Sequence, residues 1–469
     1  MRAAVLGGGI AGLAAARILR RAGLNVFVVE ATERCGGKLD SATLDGLRLD
    51  TGAESMLARR PEAVGLVDAL GLTDRLVHPS PARPQLLVGG ALHALPASVS
   101  GIPTDLDQLT DVLSLEGLAR ARQDRSVDMA INDMSIGRLV DESLGREVTD
   151  RLVEPLLGGI YAGHARELSL AAVAPAVYAR LGRGEESLVS AARAVAAETP
   201  PGPVFAGLAG GVATLVDALV DDLSRAGVDL ETGRTALGVQ AGGPGLEVVL
   251  GSPGRPRHRV DAVLVATPWP AAARLLASWP DLSRELAVVA YASMAIVSMV
   301  VRGLRTESSG LLVPPGELPT IKAVTHSSVK WDWLGAVASE RWGSDATVVR
   351  ASVGRLGEEG LLQIPDDQLL SRTFTEAQLL PGWQGTELVA GHVRRWGGAL
   401  PQYRIGHRDL VGRVRDLTTG VPGLAIAGAA LDGVGIAACV GSALVAAAKI
   451  VSDLAGGRLD REQLEGSAR

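Results

Sequence analysis

The residues best placed to do chemistry in this chain are glycines. Val5-Leu6-Gly7-Gly8-Gly9-Ile10-Ala11-Gly12-Leu13 stands near the start, and Gly433-Val434-Gly435-Ile436-Ala437-Ala438-Cys439 near the end. A lone G-x-G-x-x-G is a weak signal among 58 glycines, so its neighbours must give it meaning. Ala3 to Leu6 reads as a short apolar strand, and Ala11 to Ala22 as an alanine- and leucine-rich helix stopped by Gly23. Asn25 to Val29 reads as a second strand with Glu30 at its tip. In that setting the glycines permit a tight turn, let backbone approach a pyrophosphate and allow close helix–strand packing. The helix start offers unpaired N–H groups and a positive dipole end to the phosphates. Glu30 lies where an acid would hold an adenosine ribose. Gly7, Gly8, Gly9, Ile10, Ala11, Gly12 and Glu30 therefore form a candidate dinucleotide site.

The segment after Glu30 separates flavin from nicotinamide. Ala31-Thr32-Glu33-Arg34-Cys35-Gly36-Gly37-Lys38 places a second glycine pair and two cations beside the first loop. A further turn, Asp50-Thr51-Gly52-Ala53-Glu54-Ser55, comes shortly afterwards. An ordinary NAD site needs neither, whereas a flavin in an extended pose needs small residues along its ribityl chain and pyrophosphate. Alone, Gly36-Gly37 reads equally well as a solvent turn; beside the first loop it favours FAD.

These elements need a large scaffold. At 469 residues the chain is too long for one core, and two or three domains are expected. Hydrophobic residues make up 47% and charged residues 21%, which describes a soluble globular protein; aromatics are only 3%, so Leu, Val and Ala must fill the interior. A net charge of −6 argues against a nucleic-acid partner reached by bulk electrostatics. Cys35 and Cys439 have no zinc-site spacing, the seven histidines are scattered, and no metal site is expected. Ala3 to Leu19 resembles a signal-peptide apolar core, but its phosphate-loop glycines favour strand–turn–helix. Ile436 to Ala448 is apolar but short for a membrane span, and Lys449 closes it. A cytoplasmic protein is expected, with peripheral membrane contact left open.

Nucleotide-type chemistry recurs in three stretches, so the cofactor domain is expected to be discontinuous. The second stretch has Gly207-Leu208-Ala209-Gly210-Gly211, a helix from Ala213 to Ala226, a strand pair, and the buried run Ala262 to Ala266 stopped at Thr267-Pro268. The third has a strand from Leu424 to Ala427 and a closing helix from Ile436, whose N-terminal dipole would favour an anionic reduced flavin ring. The fold expected is α/β. A Rossmann-like nucleotide-binding domain comes from residues 1–60, 205–272 and 418–469, and a mixed-sheet substrate domain from 61–94 and 273–417. A helical domain comes from 95–204. The strands of the mixed sheet are Ala295 to Val301, Leu311 to Pro314, Thr347 to Val353 and Leu388 to Val393. The polar tail from Asp460 to Arg469 is expected to fray.

Further runs carry a family resemblance. They are Gly101-Ile102-Pro103-Thr104, Glu154-Pro155-Leu156 with Gly159-Ile160-Tyr161-Ala162-Gly163, and Ile321-Lys322-Ala323 with Ser327-Ser328-Val329-Lys330-Trp331. Leu400-Pro401-Gln402-Tyr403 with Gly406-His407, and the Gly433 turn with Cys439, complete the set. Together with the two glycine loops they make the chain similar to the flavin-dependent porphyrinogen oxidases. Those sit within the wider group of flavin amine oxidases and phytoene desaturases. The chain most resembles the soluble Gram-positive type, which acts on coproporphyrinogen III.

The resemblance implies non-covalent FAD, oxygen as acceptor, and conversion of coproporphyrinogen III to coproporphyrin III in haem biosynthesis, with three hydrogen peroxide released. Protoporphyrinogen IX is the alternative substrate. In each cycle a hydride would leave a meso carbon for flavin N5, and no catalytic side chain is assigned. FAD contacts are implied at Gly7 to Gly12, Glu30, Ala31, Arg34, Gly36, Gly37, Lys38, Gly52, Ala53, Glu54, Ser55, Ala236, Trp396, Gly428, Gly435, Ile436 and Ala437. For the substrate carboxylates, Arg59 and Arg60 are the first candidates and Arg83 and Lys330 the next; Tyr161, Trp331 and Trp396 are candidate walls. Hand-over of product to a ferrochelatase is a further expectation. Two other functions stay open: an amine oxidase or desaturase, and a non-catalytic nucleotide-binding protein.

Overall fold

A computed structural model describes residues 1–125, 133–251, 254 and 256–456; the tail from Asp460 lies outside the described residues. Along the chain, β1 (Arg2–Leu6), α1 (Ile10–Arg21) and β2 (Asn25–Val29) come first, then α2 (Pro61–Ala69) and β3 (Pro84–Val88). Next come α3 (Glu154–Tyr161), α4 (Thr214–Arg225), β4 (Asp229–Glu231) and β5 (Ala262–Val265). Strands β6 (Tyr291–Arg302), β7 (Gly310–Leu312), β8 (Ile321–Thr325), β9 (Ala346–Val353), β10 (Glu387–Pro401) and β11 (Leu424–Ile426) lead to α5 (Ile436–Leu454).

The continuous apolar runs become the middle of a parallel sheet in the order β4-β2-β1-β5-β11. Both faces of such a sheet are covered, which is why its strands do not alternate in polarity. On one face α1 and α5 pack closely, because Ala14, Ala15, Ala443 and Ala447 keep their backbones near each other. Leu215, Leu219 and Leu223 of α4 complete that layer. The other face buries Phe27, Val29, Val263 and Val265 against a three-stranded antiparallel meander spanning 236–260, where the sequence predicts a strand pair.

Three expected boundaries shift for the same physical reason. Helix α2 is expected in the substrate region, yet Ala63, Leu66 and Val67 enter the core shared by α1 and α5. Residues 273–289 and 407–417 are expected there as well, yet Leu275, Leu282, Leu286, Leu410 and Val414 pack on the parallel sheet. An amphipathic helix reads the same from sequence whichever apolar surface it covers.

The second sheet has seven strands in the order β10-β6-β9-β8-β7-β3, with Ala91–Ala94 at its edge. It is antiparallel except where β7 runs parallel to β3. Strand β10 is far longer than the expected 388–393, because Arg394 and Arg395 within it find Asp40 and Asp366 as partners. Between 95 and 204 short helices bury Leu139, Leu152, Leu157, Leu170 and Val177 in a third core. Helix α5 extends beyond Ala448 to Leu454. Among the described residues it alone is long and apolar enough to cross a membrane, and 56% of its apolar window is buried inside the protein.

Arg17 of α1 is only 2% exposed and ties three helices together. Its Nε donates to Asp222 of α4 at 2.9 Å, and its Nη2 to the Ala69 carbonyl closing α2, also at 2.9 Å. Charge-assisted bonds of this kind contribute about 1.5–3 kcal/mol. Arg17→Met is therefore expected to lose about 2 kcal/mol of stability in urea titration while its far-ultraviolet circular dichroism stays unchanged.

Candidate functional site

The carboxyl ends of four parallel strands open on one cavity of about 950 Å³. Gly7 comes after β1, Glu30 after β2, Ala266 and Thr267 after β5, and Ala427 and Gly428 after β11; all line it. This is where an open α/β sheet binds its ligand, because the helices leave their N-termini there. Helices α1 and α5 both start at a glycine cap, Gly9 and Gly435, with no side chain bonding their first turns. Their free N–H groups face the same space, and Gly9, Ile10, Ala11, Gly435 and Ile436 line it.

Two glycines are sterically obligatory. A Cβ on Gly12 would stand 1.9 Å from the Gly7 carbonyl oxygen, and one on Gly52 would stand 1.8 Å from that of Lys38. The second loop is pinned to the first by Gly36 N–H donating to Gly8 O at 2.7 Å. Gly37, Lys38, Gly52, Ala53, Glu54, Ser55 and Ala31 thereby reach the cavity, and Ala236 and Trp396 join from the meander and β10.

Glu30 is fixed before any ligand arrives. Its Oε2 accepts from Gly8 N–H at 2.7 Å, and its Oε1 accepts from the Thr32 N–H and hydroxyl at 2.9 and 2.8 Å. A carboxylate has about four acceptor directions, so one remains for a ribose hydroxyl. Five expected cofactor contacts do not line the cavity: Gly8, Gly12, Arg34, Gly36 and Ala437. Arg34 is the clearest correction. Its guanidinium donates to the carbonyls of Cys35 and Gly37 and pairs with Asp40 at 2.6 Å, so it shapes the second loop from behind. Ala437 is buried in the α1–α5 core.

The turn 50–55 joins the parallel sheet to the seven-stranded one. Asp50 accepts from the Val212 and Ala213 N–H groups at 2.8 and 3.0 Å, just before α4. Burial raises its carboxyl to about 6 despite those two bonds. Glu54 is held by Lys330 Nζ at 2.5 Å and by Arg350 Nη1 at 2.7 Å. Arg350 also donates to the Gly52 carbonyl, and Trp396 Nε1 donates to Thr51 O at 2.9 Å. Burial pushes the Glu54 carboxyl upward, but the two cations outweigh it and bring it down to about 2.

None of the five expected substrate residues lines the cavity. Arg59 donates to Gly202 O on the surface, and Arg60 pairs with Glu62. The exposed Arg83 lies just before β3 and contributes only its carbonyl to Ser308 and Ser309. Lys330 is used by Glu54, and Tyr161 packs against Tyr403 at 5.4 Å in the helical core. Trp331 is likewise a core residue, beside Leu334 and Trp342. The cations that do line the cavity are Lys38, Arg234, Arg274 and Arg350. Arg350 had a readable signal, a charge inside the apolar run Val348-Val349-Arg350-Ala351; Arg234 and Arg274 had none. Sequence reasoning also missed Tyr291 and Thr267, which lines the cavity with a buried and unpartnered hydroxyl.

Known proteins resemble this chain in sequence and in fold. The description "flavin containing amine oxidoreductase" matches residues 10–451. The chain belongs to that family. It is similar to the coproporphyrinogen III oxidase of Mycobacterium tuberculosis, 36% identical over 96% of this chain and 97% of the relative. The coproporphyrinogen III oxidase of Bacillus subtilis is 30% identical over 93% and 95%. A solved protein of Exiguobacterium sp. 255-15 shares its fold with a TM-score of 0.83 and 30% identity, covering 96% of this chain and 98% of that one. The chain is an FAD-dependent oxidoreductase. Its residues fit the cofactor: two uncapped helix starts, a preset carboxylate and the sterically required Gly52 converge on one cavity, and Gly12 lets α1 start close against the Gly7 turn that lines it.

Gly52→Ala forces the Lys38 carbonyl away from its place. The purified variant is expected to lose most of its bound flavin, read as yellow absorbance per protein. The Glu54 carboxyl lies below its ordinary 4.5 in the folded protein, so its contribution is complete above about 4.5 and fades as pH falls toward 2. The stability gap between wild type and Glu54→Gln, from urea curves, should be widest at neutral pH and shrink on acidification; a gap independent of pH would contradict the assignment.

Proposed function

We propose that this flavoprotein oxidises coproporphyrinogen III to coproporphyrin III in haem biosynthesis, in the cytoplasm, with dioxygen as the final acceptor. Aromatising the macrocycle removes six hydrogens, so three two-electron cycles are required, each yielding one hydrogen peroxide. Bound flavin supplies the hydride acceptor and the route of electrons to oxygen.

The observation that carries this reading is the shape of the cavity. Dinucleotide turns form one end, and the same space continues over an apolar surface of the second sheet. That surface comprises Met294 and Ile296 of β6, Ala323 of β8, Leu400 of β10, and Ile160 of α3. A bulky tetrapyrrole macrocycle, puckered as the porphyrinogen and flat as the product, matches such a wall, and a small amine does not require it. The names carried by the Mycobacterium and Bacillus relatives support the same substrate.

In this reading Gly7, Gly9, Ile10, Ala11, Gly37 and Lys38 hold the pyrophosphate, while Glu30, Ala31 and Ala236 hold the adenosine. Gly52 to Ser55 and Gly428 flank the ribityl chain, and Trp396, Gly435 and Ile436 border the ring. No histidine or aspartate lines the cavity among the described residues; of its two glutamates, Glu54 is kept ionised by its two cations and Glu30 is engaged by Gly8 and Thr32 at the nucleotide end. The protein therefore offers no strong base. It orients the macrocycle, excludes water with Ile160, Met294 and Leu400, and lets aromatisation drive loss of the pyrrole protons.

Anaerobic mixing decides the substrate. Coproporphyrinogen III should bleach the bound flavin faster than protoporphyrinogen IX, and aerobic turnover should release three peroxide per porphyrin. Flavin left oxidised by both porphyrinogens but bleached by an amine would replace this reading with amine oxidation.

A further inference from the structure

Lys322 on β8 takes no part in holding the flavin or the turn 50–55. It is 1% exposed, and its Nζ makes no hydrogen bond. A buried ammonium is costly unless it is paired. Its neighbour is a second cation, Arg355, 7% exposed, whose Nε is also without a partner. Arg355 donates Nη2 to Val313 O at 3.3 Å, and its nearest carboxylate, Glu358, stands 3.9 Å from Nη1. Burial, and then the charge of Arg355, press the Lys322 ammonium down to about 7.

A bulge sets the direction of Lys322. Against β9, Ile321 pairs with Val353 but Ala323 pairs with Ser352, so Lys322 is the extra residue. Ile321 and Val324 both enter the core on the far face of the sheet. The extra residue is thereby turned toward the face of Ala323, which lines the cavity. Across from it stands the end of α3. A Cβ on Gly158 would lie 3.8 Å from Arg355 Nε, and the next residues, Gly159 and Ile160, line the cavity. Neither Lys322 nor Arg355 itself lines the cavity; the last turns of α3 stand between, and a ligand reaches the pair where the consecutive glycines Gly158 and Gly159 let that helix end shift.

We propose that Lys322 and Arg355 form the seat of one carboxylate of the substrate, at the end of the cavity where α3 meets β8. The seat rests on the porphyrinogen reading. One oxygen accepts from Lys322 Nζ and the other from Arg355 Nε, so the anion removes both the repulsion and the unmade hydrogen bonds.

The test titrates flavin-loaded wild type, Lys322→Met and Lys322→Arg with coproporphyrin III and with its tetramethyl ester, by porphyrin fluorescence. Lys322→Met should weaken the acid about tenfold and leave the ester unchanged, whereas Lys322→Arg should retain most of the affinity. Flavin content and Tm report folding; removing an unpaired buried ammonium should hold or raise the Tm. If Lys322→Met does not retain flavin, Arg355→Met is read in the same way. Equal binding of the acid by wild type and Lys322→Met overturns the seat alone, as does parallel loss of acid and ester. A wild type that binds the ester as tightly as the acid overturns it without any variant. Acetate raising the Tm of wild type but not of Lys322→Met, with porphyrin binding equal, would assign the pair to free anions and overturn the substrate role. A wild type that binds neither porphyrin overturns the functional reading itself.

Discussion

Everything in the site depends on the turn 50–55 being held between two sheets. Glu54 reaches out of the nucleotide layer and is gripped by Lys330 and by Arg350 of β9. A half-buried carboxylate with two cations is stable only as a complete set, since removing any member strands a charge away from water. Arg350 adds a bond to the Gly52 carbonyl, and Trp396 of β10 adds one to Thr51. At the other end Asp50 receives the backbone N–H groups that precede α4. The parallel sheet and the seven-stranded sheet thus meet at one short, over-determined turn. The cavity runs past this junction from phosphate loop to apolar wall, with Gly52, Ala53, Glu54 and Ser55 in its lining.

The glycines serve the same junction. Gly12 lets α1 start directly against the Gly7 carbonyl, and Gly52 lets the turn lie on the Lys38 carbonyl. In each case a methyl group would fall inside van der Waals contact with backbone that has nowhere to move. Backbone, rather than side chains, therefore forms most of the nucleotide end. This suits a long cofactor made of phosphates and ribose, whose recognition needs N–H groups at short range. The opposite end reverses the balance. There strands β6, β8 and β10 present Met, Ile, Ala and Leu, and affinity must come from apolar contact, with charge confined to the margin.

Charged residues were the hardest to assign from sequence, and the reason is physical. Lys330 is an expected partner of a substrate carboxylate, but a carboxylate 276 residues away in the chain claims it. Arg59 and Arg60 come soon after the Glu54-Ser55 turn, yet they emerge on the surface toward Gly202 and Glu62. Arg34 flanks the second glycine pair and turns inward to tie loop carbonyls. Sequence distance to a motif does not predict where a long flexible side chain ends, because the partner is chosen by the tertiary field. Lys322 shows the converse: it stands in a run that carries the family resemblance but is given no role there, and a one-residue bulge and its lack of a partner single it out.

The sequence by itself determined the βαβ start, the strand ending at Glu30, the obligatory glycines and the uncapped helix at the far end of the chain. These are local: an apolar run, a turn that only glycine can make and a helix start are written within a dozen residues. With the family resemblance, they were enough to indicate FAD. Only the tertiary structure decided that α2 packs into the core of α1 and α5, that the segments 273–289 and 407–417 join the core of the nucleotide sheet, and which cations face the cavity. It alone decided that Glu54 is shared between two sheets. Those outcomes are set by contacts between residues hundreds of positions apart, where burial and charge pairing choose among partners that look equivalent along the chain.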